Sequence, residues 1–200
     1  MMKIGVLALQ GDFREHRNVV EELGTTARLV RRPEELDEID GLIIPGGEST
    51  TISKLLRKWG LFELIQKKVR NGLPLFGTCA GLILMAKEVK DGPPTLDLMD
   101  ISLERNAYGR QIESFESELE FLAEREGVPG DGSITGVFIR APQVTRVGPN
   151  VKELAKHDGL TVLLREDNML GATFHPELTD DRGIHEYFLS EVVGKASGVR

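Results

Sequence analysis

The 200-residue sequence predicts an α/β fold: a single domain over 1–200, built on an open, mixed but mostly parallel sheet flanked by helices on both faces. Three observations carry this prediction. Apolar runs of strand length recur and close on Gly or Pro. Amphipathic helical patterns stand between them. The strand–loop–helix rhythm then repeats three or four times before the chain changes character.

The elements follow in order. Residues 3–9 (KIGVLAL) read as a strand ended by the Gly11-Asp12 turn, and Asp12 is placed to cap a helix burying Val19, Val20 and Leu23. Residues 26–30 (TARLV) form a second strand, and RRPEELDEID is a polar connection. Leu42-Ile43-Ile44, closed by Pro45-Gly46-Gly47, is a buried parallel strand opening into a tight loop. Ser49 or Thr50 is expected to cap the next helix, with Ile52, Leu55, Leu56 and Trp59 at helical spacing. Gly60 breaks it, and Leu61, Phe62, Ile65 and Val69 continue on a further helix to Asn71-Gly72. PLFG (74–77) is a short strand, followed by a helical GLILMAKEV. KDGPPTLDL (90–98) is a surface loop, since Pro93-Pro94 forbids regular structure. The second half is β-like in LMDISL, QIESF, TGVFIR, LTVLLR and MLGATF. Asp167-Asn168 stands as a hairpin tip, and a last helix runs from Asp180 to about Val193 with Ile184, Phe188 and Leu189 inward.

Composition narrows the function. Apolar residues are 40% and charged residues 28%, a globular profile. A net charge of -7 argues against a nucleic-acid partner, which needs a basic face. No apolar window reaches the ~20 residues of a membrane span, and the amino terminus has no signal-peptide pattern. One cysteine excludes an internal disulfide and suits a reducing cytoplasm; with four histidines at no ligand spacing, no metal site is expected.

Cys79 is the first candidate for chemistry. It lies between a buried strand and an apolar helix, and GTCAG surrounds the sulfur with small residues, as a sharp nucleophile elbow requires. Helix-end amides would favour a thiolate and a developing oxyanion; an inert buried thiol is the alternative. His175 and Glu177 follow a strand in FHPE, where Pro176 fixes the backbone so that both can reach one locus. Nucleophile, base and orienting carboxylate suffice for acyl transfer through a thioester, although a histidine merely ending a strand fits HPE alone. PGGEST (45–50) lets backbone approach a ligand, or is a simple turn; it lacks the lysine of a phosphate loop. His16, His157 and His185 read as structural or surface groups.

Together these motifs resemble the class I, triad-type glutamine amidotransferases, and within them the branch of glutaminase subunits of pyridoxal 5'-phosphate synthase. The likeness spans GVLALQGDFREH (5–16), GLIIPGGESTT (41–51), PLFGTCAGLI (74–83), ERNAYGRQ (104–111), GVFIRAP (136–142) and FHPELTDD (174–181). It implies a flavodoxin-like fold and hydrolysis of L-glutamine to L-glutamate and ammonia, without metal or organic cofactor. Cys79 would attack the amide carbon, His175 act as base and then acid, and Glu177 orient His175. Backbone amides of Gly47 and Ala80 would form the oxyanion hole. Gly47, Glu48, Ser49, Arg105, Ile139 and Arg140 would line the glutamine pocket, the arginines facing the α-carboxylate. Gln10, Gly11 and Asp12 would join the docking and activation surface. The implied partner is a (β/α)8-barrel synthase subunit that makes pyridoxal 5'-phosphate from a pentose phosphate, a triose phosphate and ammonia, in a dodecameric core decorated by glutaminase subunits. Two rivals remain: a glutaminase serving imidazole or anthranilate formation, which should lack RNAYGRQ and FIRAP, and a non-catalytic scaffolding subunit, which should have lost a triad residue.

Overall fold

Apolar residues at consecutive positions of a strand need cover on both faces, and the strands of this protein receive it. A computed structural model describes residues 2–105, 114–122 and 134–197. The chain enters through β1 (Lys3–Leu7), crosses by α1 (Phe13–Glu22) to β2 (Thr26–Val30), and returns through a 3-10 turn (Pro33–Asp37) to β3 (Gly41–Ile44). Helices α2 (Ser49–Lys58) and α3 (Phe62–Arg70) lead to β4 (Leu75–Thr78), and α4 (Ala80–Met85) follows Cys79. Then come β5 (Ala86–Lys90), β6 (Met99–Glu104), β7 (Ser114–Glu118), β8 (Glu120–Phe121), β9 (Thr135–Ile139), β10 (Gln143–Val147), β11 (Lys152–His157), β12 (Leu160–Glu166) and β13 (Met169–Ala172). The chain closes with a 3-10 turn (Pro176–Leu178), α5 (Gly183–Tyr187), a π-helical stretch (Phe188–Gly194) and α6 (Lys195–Ser197).

The main sheet has the order β2-β1-β3-β4-β13-β12-β11-β8. Its pairings from β2 to β13 are parallel, and those from β13 through β12 and β11 to β8 are antiparallel. Alternate residues feed two cores. Leu42 and Ile44 point into one, with Ile52, Leu56 and Ile65 of α2 and α3; Ile43 and Phe76 point into the other, with Val20, Ile184 and Phe188. Helices therefore cover both faces, as expected. A small sheet, β10-β6-β5, extends the first core, and β7 pairs with β9. Among the described residues no helix is long and apolar enough to cross a membrane.

The register places the site. Ile44 aligns with Gly77, and Gly171 and Ala172 with Gly77 and Thr78, so β3, β4 and β13 end together. Strand order turns back on itself around β1 and β3, the position where open α/β sheets form a crevice at their carboxyl ends.

Several local expectations need correction. The helix after Cys79 stops at Met85, because Ala86–Lys90 pairs with β6. Glu48, not Ser49 or Thr50, caps α2, its carboxylate accepting from the Thr50 and Thr51 amides. Trp59 lies just past α2 and is half exposed. Asp12 occupies the position before α1 without capping it through its side chain. The polar connection 31–40 holds a 3-10 turn that buries Leu36. The Asp167-Asn168 tip does join β12 to β13, with Asp167 at φ 50°. Residues 106–111 of RNAYGRQ and the first three residues of QIESF lie outside the described residues.

Candidate active site

Cys79 stands between β4 and α4 with φ 46° and ψ -100°, a conformation that L-residues rarely hold without support. The support is steric and hydrogen-bonded. Gly77 and Gly81 flank the turn; a methyl group on Gly77 would strike Gly81 and Met85, and one on Gly81 would strike the Ile44 carbonyl oxygen. The Cys79 amide donates to Ala172 O at 2.8 Å, fixing the elbow to β13. The small residues around the sulfur thus let a helix start against two strand ends.

His175 is delivered three residues beyond β13, and its amide donates to Val137 O of β9 at 2.8 Å. Pro176 opens a 3-10 turn that brings Glu177 back under the imidazole, as expected. His175 Nδ1 and Glu177 Oε1 are 2.8 Å apart, and both side chains are buried. With Nδ1 committed there, Nε2 is left to serve the Cys79 sulfur, which lines the same cavity as His175.

A second carboxylate, not anticipated in this role, also addresses the ring: Asp12 Oδ2 lies 3.4 Å from His175 Nδ1. Burial works against a charged His175, yet the bonds to Asp12, Cys79 and Glu177 outweigh it and push the ring up to about 12. Burial raises Glu177 above the usual carboxylate range, and the bond from His175 only partly offsets this. Ligand atoms of Asp12, His175 and Glu177 lie within 4.8 Å of one another, a spacing that could suit a cation. Both carboxylates, however, address one ring nitrogen, which is the geometry of an oriented imidazole.

A cavity of about 350 Å³ opens beside the sulfur. Of the residues expected at the site, Gln10, Asp12, Gly47, Glu48, Ser49, Cys79, Arg105, Ile139, Arg140 and His175 line it. Ile83 joins them without having been anticipated; it lies one turn after Cys79 on α4. Gly11, Ala80 and Glu177 stand behind this lining. Gly47, at φ 151°, packs against the Gln10 side chain, whose Oε1 accepts from the Glu48 amide at 2.8 Å. Gly11, at φ 97°, leaves room for the Gly46 carbonyl, which accepts from the Asp12 amide at 3.1 Å. The Ala80 amide begins α4 and so has no partner four residues back.

Charge is arranged around this cavity. Arg105 Nη2 lies 3.5 Å from Glu48 Oε1. Desolvation opposes ionisation of Glu48, but bonds from Thr51 and Thr50 and the charge of Arg105 prevail, holding it below its ordinary value. Arg140 follows β9 at φ 44°, and Ile139 O lies 3.9 Å from Cys79 Sγ.

Three further residues connect to the triad from behind. His16 Nε2 lies 3.0 Å from Thr78 Oγ1 and 3.4 Å from Glu177 Oε2, while His16 Nδ1 lies 2.9 Å from His185 Nε2. Thr78 Oγ1 also accepts the Gly46 amide at 3.0 Å. All three are fully buried, so the surface alternative for the two histidines fails. The available signal was periodicity: His16 precedes Val19 and Val20 by three and four residues, on the buried stripe of α1.

Residues 6–194 match the SNO glutamine amidotransferase family. A protein of Thermosipho africanus named pyridoxal 5'-phosphate synthase subunit PdxT is 52% identical over 193 residues, covering 96% of this chain and 99% of its own. One of the same name from Methanocorpusculum labreanum is 52% identical over 194 residues, covering 96% and 99%. A crystal structure described as a glutamine amidotransferase superposes with a TM-score of 0.88 at 50% identity, over 96% of this chain and 98% of that one. The likeness to these relatives runs along nearly their whole length and covers the cysteine elbow and the buried His–Glu pair of this chain, and the chain belongs to the SNO glutamine amidotransferase family.

Proposed function

We propose that this chain, working as one glutaminase domain, hydrolyses the side-chain amide of L-glutamine through a thioester on Cys79 and passes ammonia to a synthase subunit that makes pyridoxal 5'-phosphate. The observation that carries the chemistry is the strained Cys79 elbow opening on the same cavity as His175, whose ring is held from behind by Glu177. The pathway is supported by the relatives' name, pyridoxal 5'-phosphate synthase subunit PdxT.

His175 Nε2 takes the thiol proton as sulfur bonds to the amide carbon. The tetrahedral oxyanion is stabilised by the Gly47 and Ala80 amides. His175 returns the proton to the departing nitrogen, ammonia leaves, and a glutamyl thioester remains. A water then gives His175 a proton and attacks the same carbon; collapse frees glutamate and the sulfur. Glu177, through Nδ1, holds the ring in the orientation both halves need. Arg105 and Arg140 receive the α-carboxylate of glutamine, while a carboxylate or backbone carbonyl near Glu48 takes its α-ammonium.

Gln10, Gly11 and Asp12 act as the activation segment. Their bonds to Gly46 and Glu48 mean that a partner pressing on this strand end would reach the oxyanion loop directly. The partner is a barrel-type synthase subunit, assembled as a dodecameric core carrying glutaminase subunits, and the complex works in the cytoplasm. The test is glutamate release from glutamine with and without that subunit. Strong stimulation, lost in Cys79→Ala, is expected; vigorous release indifferent to the partner would remove the pathway, and none in either case would remove the activity.

A further inference from the structure

Behind the triad, polar side chains continue inward where an apolar core would be expected. Glu177 uses Oε1 for His175. Its other oxygen, Oε2, is buried and makes no well-formed hydrogen bond among the described residues. A buried carboxylate oxygen without a donor is costly. The ring nitrogen beside it is His16 Nε2, at 3.4 Å. Whether that nitrogen carries the proton decides whether Glu177 faces a donor or a second lone pair.

Counting protons decides it. Burial, first of all, and then the charges of His185 and His175 keep His16 neutral; burial and then Arg182 push His185 down to about 3, so each ring has one proton. A single proton lies between His16 Nδ1 and His185 Nε2. Suppose His16 supplied it. His16 Nε2 would then turn a lone pair on Glu177 Oε2. His185 would carry its proton on Nδ1, a buried atom with no partner among the described residues. Suppose instead His185 Nε2–H donates to His16 Nδ1. The His16 proton then sits on Nε2, shared between Thr78 Oγ1 at 3.0 Å and Glu177 Oε2 at 3.4 Å. What is left without a partner is the His185 Nδ1 lone pair and the Thr78 hydroxyl proton, both neutral groups, and this is less costly than a stranded N–H together with a stranded carboxylate oxygen.

We infer that His16 is a positioning residue of the glutaminase, its Nε2–H holding Glu177 ionised and in place, and that His185 acts through it by fixing the His16 tautomer. Thr78, accepting from both His16 and Gly46, ties this chain to the loop that carries the oxyanion-hole residue Gly47. The consequence is a continuous buried line from α5 to the sulfur: His185, His16, Glu177, His175, Cys79. Phe76 packs edge-on to both inner rings, at 6.2 Å from His16 and 5.7 Å from His185, which holds their planes. The groups facing Glu177 are His175, His16 and the charge of Asp12. Without the His16 donor, Asp12 and burial both drive Glu177 to keep a proton to higher pH. A protonated Glu177 orients His175 poorly.

Two measurements test this. In the intact wild-type chain carrying nitrogen-15 histidine, long-range nitrogen–proton spectra at neutral pH should show His16 and His185 both as Nε2–H tautomers. An Nδ1–H tautomer at His16 would overturn the inference, and no substitution is needed to see it. The kinetic arm rests on the glutaminase reading and uses the chain with its synthase partner. His16→Leu should lower kcat about 10- to 100-fold. KM should hold, and the acid limb of kcat/KM should move up by about one pH unit. His16→Gln, which returns an amide N–H near the Nε2 position, should recover most of both. A folded His16→Leu variant with an unmoved limb would refute the assignment. A wild-type complex that releases no glutamate would instead refute the glutaminase reading, leaving the tautomers to decide this one.

Discussion

Replacing Cys79 with alanine or with glycine separates the chemistry of the elbow from its strain. At φ 46° and ψ -100° a residue with a Cβ sits in a sparsely populated region, costing about 1–3 kcal/mol. Glycine adopts this conformation freely but loses more chain entropy on folding, a penalty of roughly 0.5–1 kcal/mol against alanine. The difference favours Cys79→Gly over Cys79→Ala by about 1 kcal/mol, which inverts the usual order. In a chain of 200 residues that corresponds to a Tm higher by roughly 2–4 °C. Thermal and urea unfolding of the two variants, side by side, measure it. Both should be inactive. An alanine variant as stable as the glycine variant or more so would mean that the turn is not strained, and that the elbow has not been bought with stability.

Three other perturbations bear on the site. Gly46→Ala directs a methyl group into the His175 ring and should cut kcat about 100-fold with little change in KM; steady-state kinetics within a few-fold of wild type would deny the close approach. Arg105→Met should raise the KM for glutamine about tenfold while moving stability by less than about 0.5 kcal/mol, since its pairing with Glu48 is partly exposed. The last concerns His185, held well below its unfolded value of 6.5 because burial disfavours the charged ring. Its contribution is full above that value and is lost as pH falls toward about 3. Between these limits the wild-type stability slope should exceed that of His185→Gln by about 1.4 kcal/mol per pH unit, one proton's worth. Equal slopes in urea titrations would show that His185 is already charged in the fold.

The site was legible in the sequence where backbone geometry dictates residue type. Leu42-Ile43-Ile44 needed cover on both faces, and Pro45-Gly46-Gly47 announced the loop; Gly77 and Gly81 announced the elbow. What escaped was set by pairing across space. Ala86–Lys90 continues an apolar helical pattern, yet β6 claims it as a strand. Lys152–His157 is rich in helix formers and becomes β11 because β12 and β8 lie on either side. Trp59 has helical spacing with Leu55 and Leu56, but Gly60 at φ 69° turns the chain and leaves the indole outside, near the Lys58 ammonium. Asp12 was legible as a site residue but not its contact with the His175 ring, and His16 was hidden by its company. In FREHRN the flanking charges suggest a solvated helix start, and only the docking of α1 against β4 and α5 turns His16 inward.

Hydrolysis by this chain passes, on the proposed mechanism, through an acyl group on Cys79. Rapid acid quenching of the chain with its synthase partner and labelled glutamine, followed by peptide mapping, tests it most directly. A glutamyl group should form on the Cys79 peptide before glutamate appears, with no label and no hydrolysis in Cys79→Ala. Full glutamate release by Cys79→Ala, or steady turnover with the label on another residue, would contradict it.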